Sequence, residues 1–350
     1  MDRNLAVVER NIPFVQGLLE PYFSRVEYLE SEDITPEAVK DADALLVRTR
    51  TRCDASLLDG SRVQFIATAT IGLDHIDQAY CQAHGIEAVN APGCNAPAVA
   101  QYVMASILAL INRPISQYTI GIVGVGHVGS IVERWARQLG MRVLVNDPPR
   151  QQAESAPNVG MHHGASSPDN QWSTLEQIAA EADIITFHPT LNPTSRHIVN
   201  AQFLSSLRRA PIIINAARGP IVDTPALVEA LDAGLVQHAV IDTWEGEPSL
   251  DPELLRRAVI ATPHIAGYSL QGKIRATRMA LDSLSRHFGL PRIEMAETAP
   301  DGAASKVSAA AIAASYDPFV DTAALKSDPS ALERLRNTYP LRQEVPDLAR

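Results

Sequence analysis

The sequence predicts an α/β protein made of two doubly wound parallel-sheet domains and a short C-terminal segment. Three observations lead there. Short apolar runs alternate with polar helical stretches in two successive series, a glycine-rich turn links strand to helix in the second series, and composition changes after about residue 290. With 350 residues, of which 46% are hydrophobic and 20% charged, the chain can bury two cores.

In the first series LAVVE, RVEYLE, ALLVRT, VQFIATAT and IEAVNA read as strands, and a helix is expected near Phe14 to Phe23. Ala96 to Asn112 reads as a long apolar helix stopped by Pro114, joining the two domains. The second series has TIGIVGVG, RVLVNDP, ADIITFH, PIIINAA and HAVIDTW as strands, spaced as in a nucleotide-binding sheet. After Tyr268 a helix is expected through about Phe288. The stretch AETAPDGAASKVSAAAIAASYDP is linker-like with weak helical potential in its alanine run, and ALERLRNTYPLRQE reads as a short amphipathic helix. The expected division is residues 1–95 plus 266–290, then 96–265, then 291–350.

Charge and composition exclude several function classes. A formal net charge of -10 argues against a nucleic-acid partner. The longest apolar run, Val103 to Ile111, is far short of the ~20 residues of a membrane span. Charges in MDRNLAVVERNIP stand where a signal peptide would be apolar, so a cytoplasmic protein is expected. Cys53, Cys81 and Cys94 form neither an even set nor a CxxC pair, which fits buried thiols in a reducing compartment and no metal site.

Gly124, Gly126 and Gly129 form GVGHVG between the strand TIGIV and a helix, with His127 and Val128 inside the turn. There glycines permit a tight turn, close approach to a pyrophosphate, and helix-to-strand packing. In this turn the backbone N–H groups matter more than the His127 imidazole. Asp147 ends the next strand, 18 residues after Gly129. A carboxylate there accepts from both ribose hydroxyls and repels a 2'-phosphate, so NAD is the expected cofactor, with Arg150 the one nearby feature that speaks for a phosphorylated ribose.

Three residues carry the chemistry. Arg218 follows IIINAA, on a loop at the carboxyl edge of the sheet, where its guanidinium can fork onto a carboxylate. His264, in ATPHIAGYS, can take and return a hydroxyl proton. Glu247, between Gly246 and Pro248, can fix that imidazole, with Glu245 as the rival carboxylate. His75, His84, His162, His163, His197, His238 and His287 read as solvated, and His188 as a minor candidate. Arg48 and Arg50 flank Thr49 in VRTRT, a small anion site for a phosphate.

The run from GIVGVGHVG through ARGPIVD, DTWEGEP and TPHIAGYS resembles the D-isomer-specific 2-hydroxyacid dehydrogenases over most of residues 1 to 290. VRTRT, ATATIGLDHID, NAPGCN and HIAGYSLQGK add to the likeness. The resemblance implies two Rossmann-like domains, one binding substrate (1–95 plus 266–290) and one binding NAD (96–265). It implies NAD-dependent oxidation of a small phosphorylated 2-hydroxy acid by a cytoplasmic homodimer. Arg218 and Glu247 are then active-site residues and His264 the proton donor. Asp147, the turn Asn215, Ala216, Ala217 and Arg218, Asp242 and Gly267 meet the cofactor, while Thr49, Thr70 and Tyr268 meet the substrate. Pro189 and Thr190 depart from the family order, so no contact is carried onto them. Residues 291–350 resemble a dimerisation segment that is shorter than usual. Two alternatives stay open: another 2-hydroxy acid as substrate, such as 3-phosphoglycerate, and a nucleotide-sensing binding protein without turnover.

Overall fold

The computed structural model describes residues 4–155, 172–297, 304 and 306–346. The chain divides into two compact units, Met1–Asn95 with Ser269–Asp301, and Ala96–Tyr268 with Gly302–Arg350.

The first unit holds a five-stranded sheet. Its strands are β1 (Leu5–Glu9), β2 (Arg25–Leu29), β3 (Ala44–Val47), β4 (Phe65–Thr68) and β5 (Glu87–Val89), in spatial order β2-β1-β3-β4-β5 and parallel throughout. β1, β3 and β4 are buried along their whole length, as continuous apolar runs covered on both faces should be. The helix Leu270–Phe288 returns the chain to this unit, capped by Ser269 at its start and by left-handed Gly289 (φ 61) at its end. Its Ile274, Leu281 and Leu284 join Val8, Leu46 and Phe65 in one core.

The helix expected near Phe14 to Phe23 is not formed. Phe14 (φ 62) and Gly17 (φ 82) take the left-handed conformation, and Pro21 interrupts the stretch, so the backbone runs as successive turns. Val15, Leu19 and Phe23 are nevertheless buried. Their helical spacing is thus satisfied by turns that keep the same face inward.

The second unit holds a six-stranded sheet. Its strands are β6 (Thr119–Val123), β7 (Arg142–Asn146), β8 (Ile184–Phe187), β9 (Ile212–Asn215), β10 (His238–Ile241) and β11 (Ile260–Ala261). They are parallel in the order β11-β10-β9-β8-β6-β7, so the winding reverses between β6 and β8. The helix Ala96–Leu110, buried from Ala96 through Ile107, packs on one face of this sheet beside the helix His127–Gln138.

The C-terminal stretch does not stand apart from residue 291 on: it is divided, with residues up to 301 grouped in the first unit and those from 302 in the second. Ile312 and Val345 enter the core that contains Tyr102 and Trp135, while Leu325 and Leu332 enter the core on the other side that contains Phe187 and Trp244. The Thr322 hydroxyl accepts from Ala261 N on edge strand β11 at 3.1 Å. The alanine run forms the helix Ala309–Ser315, started by the Ser308 cap, and is followed by the helices Pro318–Ser327 and Leu332–Asn337. No helix among the described residues is long and apolar enough to cross a membrane.

Candidate active site

In the second unit the glycine turn lies at the carboxyl ends of β6 and β8, where the winding reverses and open α/β sheets receive ligands. Two of its glycines are required by packing. Gly124 has φ +87, and a Cβ there would stand 2.6 Å from Pro189 N, so the segment His188–Pro189 closes directly over the turn. A Cβ on Gly129 would stand 2.0 Å from the Gly124 carbonyl oxygen. Gly126 differs: a Cβ there meets nothing within 4 Å, and the helix that it starts has no side-chain cap. Open space before a helix N-terminus, with His127 and Val128 in the first turn, fits an anionic pyrophosphate.

Asp147 follows β7 and is half-buried. Its carboxylate accepts from Val125 N at 2.8 Å and Arg150 N at 3.0 Å, which ties it to the glycine turn. Arg150 in turn donates to the Val125 carbonyl and pairs with Glu154 at 3.0 Å. The arginine that could have argued for a phosphorylated ribose therefore braces the loop.

Arg218 stands at the carboxyl end of β9. Asn215, the last residue of that strand, donates from Nδ2 to the Arg218 carbonyl at 3.0 Å and accepts from Ala217 N at 3.2 Å, which closes the turn through Ala216 and Ala217. The guanidinium donates to the Ala217 carbonyl at 2.8 Å and meets no carboxylate among the described residues. Gly219 makes this placement compulsory, since a Cβ there would lie 2.0 Å from the Trp244 carbonyl oxygen. The turn of Arg218 is pressed against the backbone that leads to Glu247.

Glu247, not Glu245, pairs with His264. Its Oε2 lies 2.8 Å from His264 Nδ1, and its Oε1 accepts from Trp244 N at 2.7 Å. Burial pushes the Glu247 carboxyl up, but the His264 hydrogen bond and charge, the Trp244 N–H and the Arg336 charge outweigh it and hold the group below its ordinary value. A carboxylate only accepts, so Nδ1 carries the proton and Nε2 is left to exchange one. His264 itself takes φ 57, a left-handed conformation costly for a residue with a Cβ. Glu245 is engaged elsewhere, 2.6 Å from His197 Nε2 and 3.4 Å from Arg196.

Asp242 is almost wholly buried at the end of β10. It accepts from Thr262 Oγ1 at 2.7 Å, Ile265 N at 2.8 Å and Ala266 N at 2.9 Å, so its carboxylate holds the turn that carries His264. Burial raises its pKa. Gly267 and Tyr268 follow in the same turn, with Tyr268 N donating to the Ile265 carbonyl at 2.8 Å and its ring meeting Tyr339 edge to face.

In the first unit the winding reverses between β1 and β3, and VRTRT begins at the end of β3. Buried Glu9 accepts there from Arg48 N at 2.7 Å and Thr51 Oγ1 at 3.1 Å. The Arg48 guanidinium rests on the Asn11 carbonyl at 3.2 Å, and Thr49 is exposed at the tip. Thr70 follows β4, its hydroxyl 2.6 Å from that of Thr68.

Several histidines expected to be solvated are not. His197 pairs with Glu245, and His287 lies 2.6 Å from Glu87 with its ring against Phe65. Burial lowers the pKa of His75 and His238. His84 is exposed, stacked on Tyr80, while His162 and His163 lie outside the described residues. His188 shares a 2.9 Å hydrogen bond with Thr186, and burial pushes its pKa down to about 3, too low for a proton acceptor at neutral pH. Glu9 is visible in the sequence only as a charge closing the apolar run LAVV. Arg336, on the helix Leu332–Asn337, faces Glu247 and Tyr268 with its charge. Nothing in the local sequence signals that proximity.

At the carboxyl edge of the second sheet stand a glycine-rich turn, an arginine that meets no carboxylate among the described residues, and a histidine–glutamate pair. The chain is a member of the D-isomer-specific 2-hydroxyacid dehydrogenase family: residues 100–266 match the family described as D-isomer specific 2-hydroxyacid dehydrogenase, NAD binding domain. Within that family its relatives include the erythronate-4-phosphate dehydrogenases of Bacteroides fragilis and Bacteroides thetaiotaomicron. Each is 45% identical to this chain over 97% of its length and 96% of the relative's. The D-lactate dehydrogenase of Aquifex aeolicus, solved with NAD and lactic acid, has the same fold, with a TM-score of 0.65 at 22% identity over 82% of this chain and 96% of that one. The cofactor is NAD.

Proposed function

We propose that this chain oxidises 4-phospho-D-erythronate to (R)-3-hydroxy-2-oxo-4-phosphobutanoate with NAD, as a step toward pyridoxal 5'-phosphate, and does so in the cytoplasm as a homodimer. The observation that carries the chemistry is the 2.8 Å contact between His264 Nδ1 and Glu247 Oε2. The substrate rests on the relatives named erythronate-4-phosphate dehydrogenase, which match nearly the full length of the chain.

NAD, when bound, supplies the hydride acceptor. Gly124, Gly126, His127, Val128 and Gly129 would hold its pyrophosphate and Asp147 its ribose, while the Asn215–Arg218 turn, Asp242 and Gly267 would complete the cofactor site. Arg218 holds the substrate carboxylate and polarises the C2 oxygen. His264 Nε2 takes the C2 hydroxyl proton as the C2–H bond breaks, its electron pair leaving as hydride and a C2 carbonyl forming. Glu247 stabilises the resulting imidazolium. Arg48, Thr49, Thr70 and Tyr268 are assigned to the substrate, with the phosphate at Arg48 and Thr49.

The test is NADH formation, or transfer to a 2-oxo acid acceptor, with 4-phosphoerythronate and 3-phosphoglycerate side by side. A higher kcat/KM for 4-phosphoerythronate is expected. Preference for 3-phosphoglycerate would reject this substrate while leaving the chemistry of the triad standing.

A further inference from the structure

The turn that carries His264 is held from both sides by polar side chains, and one of them comes from the far end of the chain. Ile265 and Ala266 follow His264 directly. Both of their N–H groups donate to buried Asp242, at 2.8 and 2.9 Å. Both of their carbonyls accept from the guanidinium of Arg342, Ile265 O at 3.1 Å and Ala266 O in a shorter contact. The same guanidinium donates to the Ala98 carbonyl at 3.1 Å and the Tyr339 hydroxyl at 3.3 Å, and stacks 4.8 Å from the Tyr316 ring. It forms no ion pair with a carboxylate among the described residues; its two terminal nitrogens donate to backbone carbonyls and a hydroxyl, while Nε is buried without a hydrogen-bond partner.

We infer that Arg342 is a positioning residue for the dehydrogenase reaction, clamping the His264 turn against Asp242. The reason lies in the backbone. His264 is held at φ 57, which a residue with a Cβ abandons unless its surroundings over-determine it. Asp242 alone fixes only the donor side of the next two peptides. The planar fork of arginine reaches two carbonyls at once, which an ammonium on a flexible stem does not reproduce. With the carbonyls released, the turn can relax and swing Nε2 away from the reacting hydroxyl, and a displacement of about 1 Å costs on the order of 100-fold in rate. The C-terminal segment thus takes part in catalysis through the turn that it grips.

This inference rests on His264 being the acid/base. The test measures kcat on 4-phosphoerythronate and NADH affinity by fluorescence for Arg342→Met, Arg342→Lys and His264→Gln, well below each protein's Tm. Arg342→Met should lose about 10- to 100-fold in kcat while binding NADH within about 2-fold of the parent, and Arg342→Lys should recover only part of the rate. A normal kcat in either Arg342 variant overturns the inference, as does a rate loss that merely tracks the folded fraction reported by NADH binding. Should Arg342→Met not fold, Arg342→Lys decides alone: slowed turnover with retained NADH affinity supports the clamp, and full turnover rejects it. If His264→Gln keeps its rate, the acid/base reading fails; if His264→Gln is slow and both Arg342 variants are normal, only the clamp fails.

Discussion

Two histidine–glutamate pairs lie side by side in the second unit, and they have different fates. His264 meets Glu247 at 2.8 Å, and His197 meets Glu245 at 2.6 Å; both histidines take a left-handed backbone, φ 57 and φ 51. Distance and strain therefore do not tell the pair proposed as acid/base from the other. The neighbours do. Glu245 is shared with Arg196, and Asp223 stands 4.0 Å from the other nitrogen of His197, so that ring sits in a surface charge network with carboxylates on both sides. His264 meets the Glu247 carboxylate at Nδ1 and, among the described residues, no carboxylate within ion-pair distance of Nε2, and its turn is held by Asp242 and Arg342. A pair becomes an acid/base when one nitrogen is committed and the other is not.

The contrast can be broken by replacing each ring. His264→Gln should lower kcat by about 10²- to 10⁴-fold, the range of general acid–base catalysis, with NAD affinity kept. His197→Gln should stay within about 3-fold of the parent, because the proposed chemistry uses neither its ring nor Glu245. Steady-state NADH formation checks both, and a crippled His197→Gln beside an active His264→Gln would invert the assignment.

The glycine turn gives a second, smaller contrast. Gly129→Ala should destabilise the fold by about 1–3 kcal/mol, the cost of overpacking, because its Cβ would strike the Gly124 carbonyl. Gly126→Ala meets only open space, so Tm should hold while NAD binds more weakly. Thermal melts and NADH titration separate the two. Equal NAD affinities in the Gly126→Ala variant and the parent would place the pyrophosphate elsewhere.

A further contrast lies in pH dependence. His188 has a folded pKa of about 3 against 6.5 in its ordinary state. The unfolded chain therefore binds the extra proton first as pH falls, and stability declines from about pH 6.5 toward pH 3. Glu247 has the same sign but a lower window: its depressed pKa contributes stability above about pH 4.3 that is lost as pH falls through the folded value. Denaturant titrations at several pH values should show His188→Gln with a flatter curve between pH 6.5 and 4.5 than the parent. Parallel curves would mean that His188 is not kept neutral by burial.

How legible this was in the sequence follows from which interactions are local. The strands of both sheets announce themselves as apolar runs, and the glycine turn and Asp147 sit at fixed spacing within one strand–turn–helix unit. Arg218 and His264 were marked by the proline and glycine beside them. What local pattern leaves undecided is long-range. Phe14 to Phe23 has helical apolar spacing that turns satisfy equally well. The choice between Glu245 and Glu247 needs the cross-chain position of His197, 48 residues before Glu245. Arg342 reaches the His264 turn across 77 residues to Ile265 O, a distance at which local pattern says nothing. The C-terminal composition reads as a linker because the residues that enter the two cores, Ile312, Leu325, Leu332 and Val345, are widely spaced among small and polar ones.

The central claim is that Glu247 and His264 act as one unit, and a double-mutant cycle in kcat tests it most directly. Glu247→Gln alone should be slow, His264→Gln slower, and the double variant no slower than His264→Gln within about 3-fold, since residues that work as a unit are not additive. A double variant slowed by the product of the two single losses would contradict the account, because the carboxylate would then contribute to turnover independently of the ring.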